Sequence, residues 1–145
     1  MHRLTEDEIK KLMDEIMWGT IIAVDEDGQP YAVETSFAVD DKFLYTGTQF
    51  GGRMNRCIEK NKRVTFKICE STNDTRRYRA AIVESEATIL KDVDEIRDCL
   101  RIIITKINWS LAGLDAKAER IAAGKGSLSL YRLPLQKLGG VGHGV

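Results

Sequence analysis

Side chains able to do chemistry concentrate in one stretch of this sequence, Leu44–Cys57 (LYTGTQFGGRMNRC). Thr46, Gly47, Thr48 and Gln49 are small or polar, Gly51 and Gly52 allow a tight turn, and Arg53 opens a helical run. A strand that passes through such a turn into a helix start presents backbone N–H groups without partners in the chain, and these suit a phosphate. Arg53 adds a permanent charge and a forked donor where an anion would sit. Neither GxGxxG nor GxxxxGK[ST] occurs, so neither the dinucleotide fingerprint nor the P-loop applies. The same residues would also serve a plain strand-to-helix connection carrying a solvated arginine. Other candidate chemistry is sparse. His2 and His143 stand at opposite ends, and neither has a neighbour that reads as a catalytic dyad or a metal set. Cys57, Cys69 and Cys99 form no CxxC pair, so no structural zinc or other metal site is expected. Their odd number argues for reduced thiols and a cytoplasmic setting, and they read as small core hydrophobes.

Composition narrows the class. A chain of 145 residues with 43% hydrophobic and 30% charged residues is expected to fold around one core, as a single domain spanning 1–145. Lys plus Arg equals Asp plus Glu at 22 each. Zero net charge gives no global attraction to nucleic acid or to an anionic membrane, and it is compatible with self-association. No apolar run is long enough to span a bilayer. The start, MHRLTEDEIKKL, is charged and amphipathic, unlike a signal peptide.

The elements that must position the turn are legible in order. Thr5 and Glu8 form a capping box, and Ile9, Leu12, Met13, Ile16 and Met17 recur at helical spacing, predicting a helix over Glu6–Met17. Gly19 is expected to end it. Thr20–Val24 and Pro30–Val39 read as strands around the turn Asp25-Glu26-Asp27-Gly28, with Lys42–Thr46 as a third. On the second strand Glu34 and Ser36 share a face on which small polar groups would leave room for a flat ligand. Arg53–Asn61 is a short helix, Val64–Ile68 a strand, Glu70–Thr75 a polar loop, and Arg76–Leu90 one long strand or two with a bend. Asp92 caps a helix with an Ile-rich stripe from Val93 to Ile107. Trp109–Gly113 breaks the chain, Leu114–Ala123 is a further helix, and Leu128–Leu133 is the last strand, closed by Pro134 before a glycine-rich tail. Strands joined by hairpins predict a mainly β, α+β fold: an antiparallel sheet closed into a small barrel with helices outside.

With these residues in place the chain resembles the pyridoxamine 5′-phosphate oxidase-like, FMN-binding split-barrel proteins, and especially their short nitroimidazole-resistance, nitroreductase-like branch. LTEDEIKKLMDEIMWGTIIAVDEDGQPYAVETSF is similar to that family's helix, strand, "DGxPY" hairpin and second strand. LYTGTQFGGRMNRCIEKNKRVTF is similar to its strand, small polar turn, Gly-x-Lys/Arg step and "NPxVxF" segment, with Lys62 in place of the proline. RRYRAAIVESEATILKDVDEI is similar to its next strand pair and helix. The likeness runs over nearly the whole chain. Many short members carry a histidine where Thr46 falls, and a threonine hydroxyl is no general base near neutral pH. Tyr131–Pro134 superficially resembles the "RLxP" ending of the true oxidases, but the substrate motif before it is absent, so vitamin B6 synthesis is not implied.

The resemblance implies a homodimer with FMN in the subunit interface. Carried over by position, Glu34, Thr35 and Ser36 would run along the isoalloxazine edge, and Thr46, Gly47 and Thr48 would flank the ribityl and phosphate groups. Gly52, Arg53 and Met54 would form the phosphate end, Arg79 would approach from a neighbouring strand or the partner subunit, and Trp109 would wall the ring. The function implied is a flavin-dependent oxidoreductase that takes electrons from NAD(P)H to a small acceptor, such as a nitroaromatic. The alternative is an FMN-binding carrier or sensor without a catalytic substrate. A nucleic-acid-binding barrel is disfavoured, because the chain has no basic excess and no aromatic stacking strip.

Overall fold

A computed structural model describes residues 1–145. Along the chain it contains β1 (His2–Arg3), α1 (Glu6–Glu15), β2 (Trp18–Val24), β3 (Pro30–Val39), β4 (Phe43–Gln49) and α2 (Arg53–Lys60). There follow β5 (Arg63–Ser71), β6 (Tyr78–Glu86), β7 (Thr88–Ile89), α3 (Val93–Lys106), α4 (Leu114–Ala122), β8 (Leu128–Pro134) and β9 (Leu138–His143). The strands form one nine-stranded sheet in the order β1-β9-β6-β5-β2-β3-β4-β8-β7, with every pairing antiparallel. The sheet curls into a split barrel. Where no ladder joins β6 to β8, the Ser85 hydroxyl donates to the Pro134 carbonyl at 2.8 Å.

Two apolar cores lie on opposite faces of the curl. Inside it, Ile9, Leu12 and Met13 of α1 and Met54, Cys57 and Ile58 of α2 meet strand residues including Ile21, Phe37, Leu44, Phe66 and Tyr131. Outside it, Ile96, Cys99, Leu100, Ile103 and Ile104 of α3 and Ala118 of α4 pack on Ala38 of β3 and Leu130 of β8. Strands β3 and β8 are therefore covered on both faces in their middle, which is why β8 carries Leu130, Tyr131 and Leu133 all buried.

Several expected boundaries move. Helix α1 stops at Glu15 because Ile16 is already extended (φ −96°, ψ 133°), and Met17 is exposed. The last carbonyls of this helix are satisfied from another element: the Lys106 ammonium of α3 donates to Met13 O and Ile16 O at 2.7 Å each. It also sits 3.7 Å from the Phe37 ring centroid. Gly19 does not serve to end the helix. It lies inside β2 beneath the Phe66 ring, where a Cβ would come within 2.3 Å of Phe66 Cε1. Strand β4 continues past Thr46 to Gln49 because Gly47, Thr48 and Gln49 pair with Leu130, Ser129 and Leu128. The stretch after the polar loop divides into β6 and β7 at Ala87, whose N–H leaves the ladder for the Lys62 carbonyl at 2.7 Å. The tail after Pro134 is a strand: β9 lies between β6 and β1. There Gly140 brings its backbone close to Leu4 and Ile9, which a side chain would obstruct. No helix is long and apolar enough to cross a membrane.

Candidate functional site

The turn between β4 and α2 is built on a buried polar network. Gly51 takes φ +70°, and its N–H donates to Asn55 Oδ1 at 3.0 Å. Asn55, itself buried, donates through Nδ2 to Ser129 Oγ at 3.0 Å and to the Tyr131 hydroxyl at 2.9 Å. The Tyr131 hydroxyl shares a further hydrogen bond of 2.7 Å with Thr48 Oγ1. One asparagine thus fixes the glycine turn to β8 and, through Tyr131, to β4. Gly52 is the N-cap of α2 and offers no side chain, so the first-turn amides have no capping acceptor and remain available to an anion. The helix adds no acidic residue in that turn.

Asn55, Ser129 and Tyr131 were not singled out from the sequence. The available signal was a polar residue inside the apolar stripe of α2 (Met54, Cys57, Ile58). Ser129 and Tyr131 share one side of β8 with Leu133, while Leu128 and Leu130 take the other, so leucines on both sides hid the polar pair.

The candidate residues separate into groups. Thr35 and Thr46 stitch β3 to β4: the Thr46 hydroxyl donates to Ser36 O at 2.8 Å, and Thr35 Oγ1 donates to Gly47 O at 2.7 Å. Thr46 is fully buried, so its hydroxyl is engaged inside the barrel wall. Ser36 presents its side chain to a cavity of about 320 Å³ between the sheet, α3 and α4, together with Gly47 and Trp109. Trp109 is 73% exposed at its edge. Glu34 lies beyond the cavity, accepting a 2.5 Å hydrogen bond from Thr20 Oγ1. Met54 points into the inner core.

Arg53 stands at the helix start but leans toward the β2–β3 hairpin. Its Nη2 is 3.1 Å from Asp25 Oδ2, its guanidinium lies 4.1 Å from the Tyr31 ring centroid, and its side chain is 48% exposed. The Gln29 amide, aided by Arg53 and the Asp27 amide, holds the Asp25 carboxyl below its usual range. Arg56 is exposed, and its Nη1 donates to the Gly51 carbonyl at 2.8 Å, which places a second guanidinium on the same turn. Arg79 is not joined to this group within the chain. Its guanidinium is held by Glu15 at 2.8 Å and by Glu70, and these raise its pKa further above its ordinary value. A larger depression of about 480 Å³, lined among others by Ile22, Arg63, Glu84 and Lys137, contains none of the candidate residues.

The split barrel and this site belong to a recognisable class. The family model of pyridoxamine 5′-phosphate oxidase matches residues 5–140. The chain therefore belongs to the pyridoxamine 5′-phosphate oxidase family. Among solved structures it is similar to a candidate 5-nitroimidazole antibiotic resistance protein from Bacteroides thetaiotaomicron, with 16% identity and a TM-score of 0.80 over 96% of this chain and 85% of that one. It is similar to a FAD-binding protein from Mesorhizobium loti, with 17% identity and a TM-score of 0.70 over 96% and 95% of the two chains. The heme storage protein HutZ from Vibrio cholerae is a third, with 18% identity and a TM-score of 0.66 over 92% of each chain. At these identities the likeness concerns the fold. No curated protein matches the sequence.

Proposed function

We propose that this protein is an FMN-binding flavoprotein that acts as an oxidoreductase, passing electrons from NAD(P)H to a small acceptor such as a nitroaromatic. The observation that carries the reading is the turn itself. Uncapped first-turn amides and a glycine turn held by Asn55 offer donors to an anion, and the Arg53 and Arg56 guanidiniums, resting on Asp25 and on the Gly51 carbonyl, supply positive charge at the same turn. It lies at the end of the strand that also lines the cavity through Gly47. The residues present fit the cofactor. Gly52, Arg53 and Met54 would hold the phosphate through backbone amides and the Arg53 charge, with Thr48 beside them. Glu34, Thr35 and Ser36 would run along the ring, and Trp109 would cover it. When bound, the flavin supplies the two-electron chemistry.

The chain's own part is positional. The Thr35 and Thr46 hydroxyls fix the β3–β4 spacing, leaving the Ser36 hydroxyl and nearby backbone groups to orient a ligand. The apolar walls contributed by α3 and β8 exclude water. Met17, Trp18 and Trp109 are exposed, and Trp18 pairs with Ser36 in the β2–β3 register. These apolar side chains support a homodimer in which a second copy covers the site, and Arg79 could then reach the cofactor only by leaving Glu15 and Glu70. The three cysteines are free, which supports a reducing, cytoplasmic setting. A second reading, an FMN carrier or sensor, is favoured by one feature: no histidine, cysteine or carboxylate lines the cavity, so it holds no group suited to act as a general base at neutral pH. The structural neighbours described as a FAD-binding protein and as a heme storage protein make the cofactor the first thing to test.

Chromatography of the released cofactor should give FMN; FAD, or no flavin after reconstitution, would refute the assignment. Light scattering should give a dimer mass, and NAD(P)H consumption with a nitroaromatic acceptor separates oxidoreductase from carrier. Arg53→Ala should weaken FMN by about thirty-fold or more, because losing one partner of a charge-assisted contact that the bound cofactor partly desolvates costs about 2–5 kcal/mol. Lys60→Ala, a surface residue paired with Glu26, is the control and should bind as wild type. Equal affinity in Arg53→Ala and wild type would show that the phosphate site is misplaced.

A further inference from the structure

The cavity beside Ser36 has a charge pattern that the flavin reading does not use. Helix α4 turns Lys117, Arg120 and Ile121 toward it, residues three and four apart on one helical face. No acidic side chain lies within ion-pair distance of either cation; the only hydrogen bond of the Arg120 guanidinium goes to the Lys125 carbonyl at 3.2 Å. No carboxylate lines the cavity, although the chain as a whole carries 22 acidic residues against 22 basic ones. Of the two acidic residues of α4, Asp115 holds Arg97, and Glu119 is exposed and does not line the cavity. The remaining lining is mostly apolar, chiefly Leu100, Ile103, Ile104 and Leu128, with Ser36 and Ser127 as neutral polar groups, and the exposed Trp109 indole stands at the edge. The flavin reading uses the Ser36, Gly47 and Trp109 side of this space, which leaves the α4 end, about Lys117, Arg120, Ile121 and Leu128, for a second small ring. An apolar slot with an indole at its edge suits a flat aromatic body. Two unpaired cations at the same mouth attract an anionic substituent on it, and arginine favours a carboxylate through its fork.

We propose that the α4 end of this cavity binds a small aromatic carboxylate, with its ring against Ile121 and Leu128, beside the Ser36 and Gly47 end assigned to the flavin, and its acid group on Lys117 and Arg120, and that this is the acceptor class of the protein. The last clause rests on the flavin reading; the binding itself does not. The test titrates 4-nitrobenzoate and its neutral counterpart 4-nitrobenzamide into the protein as purified and, in parallel, into flavin-free protein, followed by calorimetry and by quenching of Trp109 emission in a Trp18→Phe background; the preference should be the same in both. The carboxylate should bind about tenfold or more tightly than the amide, a difference of about 1.4 kcal/mol. Lys117→Gln and Arg120→Gln should each reduce that preference and the double variant should abolish it, while amide binding stays as it was. These positions are exposed on α4, so the variants should fold; circular dichroism checks this. FMN affinity of the same variants is measured separately and should equal wild type. Equal binding of carboxylate and amide, or no binding of either, overturns the proposal. A loss of FMN affinity in Arg120→Gln also overturns it, by assigning the cations to the cofactor. A protein that binds the carboxylate selectively but carries no flavin would sustain the site and refute only the flavin reading.

Discussion

Asn55 is the residue on which the geometry of the turn depends, and Asn55→Ala tests that directly. The substitution removes three hydrogen bonds, to Gly51 N, Ser129 Oγ and the Tyr131 hydroxyl. Their consequences differ. Gly51 is exposed, so its N–H can turn to water. Tyr131 keeps the Thr48 hydroxyl as a partner. The buried Ser129 hydroxyl keeps no other hydrogen-bond partner. A net loss of about 0.5–1.5 kcal/mol per bond, with about 1–3 kcal/mol where a buried group is left unsatisfied, gives a destabilisation of about 3 kcal/mol. For a domain near this size that is a fall in Tm of about 6–12 °C, at roughly 2–4 °C per kcal/mol. Urea unfolding followed by far-ultraviolet circular dichroism, at unchanged m-value, measures it. Thr48→Val removes only the bond to Tyr131, which retains Asn55, and should cost about 1 kcal/mol. Combining Asn55→Ala with Tyr131→Phe should show a coupling of at least about 0.5 kcal/mol, as groups in one network do. A cost below about 1 kcal/mol for Asn55→Ala, together with additivity in the double variant, would mean that the turn is held by the backbone alone.

Two further perturbations probe the scaffold around the site. Burial lowers the pKa of Lys106 from its ordinary 10.5 to about 8, with Asp14 acting in the opposite direction. Between those values the unfolded chain binds more protons than the folded one, so wild type should gain stability relative to Lys106→Met as pH rises from about 8 towards 10.5. Below about pH 8 the difference should be flat; paired urea titrations that show wild type losing ground with rising pH would contradict this. Gly19→Ala places a Cβ against the ring of Phe66, which is itself buried in the inner core, and should destabilise by about 1–3 kcal/mol. A thermal melt unchanged from wild type would show that β2 and β5 can separate without cost.

Much of the architecture was legible along the chain because it depends on local chemistry. The capping box at Thr5 and Glu8 and the Asp92 cap appear as read. The Asp25–Gly28 turn, the alternation in β3 and β5, and the glycine turn into α2 do so as well. Each rests on residues within a few positions of one another, and their succession supplied both the split-barrel class and the family. The location of the turn, and the small polar face at Ser36, also came from local pattern.

The remainder was decided by partners far apart in the chain. Strand β9 has three glycines among its six residues and so carries almost no side-chain pattern; it is a strand because β6 and β1 supply its hydrogen bonds. The role of Gly19 comes from Phe66, and the end of α1 is capped by a lysine 90 residues or more away. Arg53 was placed by its neighbours in sequence but is oriented by Asp25 and Tyr31 across the sheet. Asn55 gains its role from Ser129 and Tyr131, more than seventy positions on. The sequence by itself determined the elements and the backbone turn suited to an anion, because propensity, capping and turn geometry act over a few residues. Only the tertiary structure decided which hydroxyls are engaged in the wall and which face the cavity, and which cations lack a partner there. Those outcomes depend on buried hydrogen bonds and ion pairs between residues that only the closed sheet brings together.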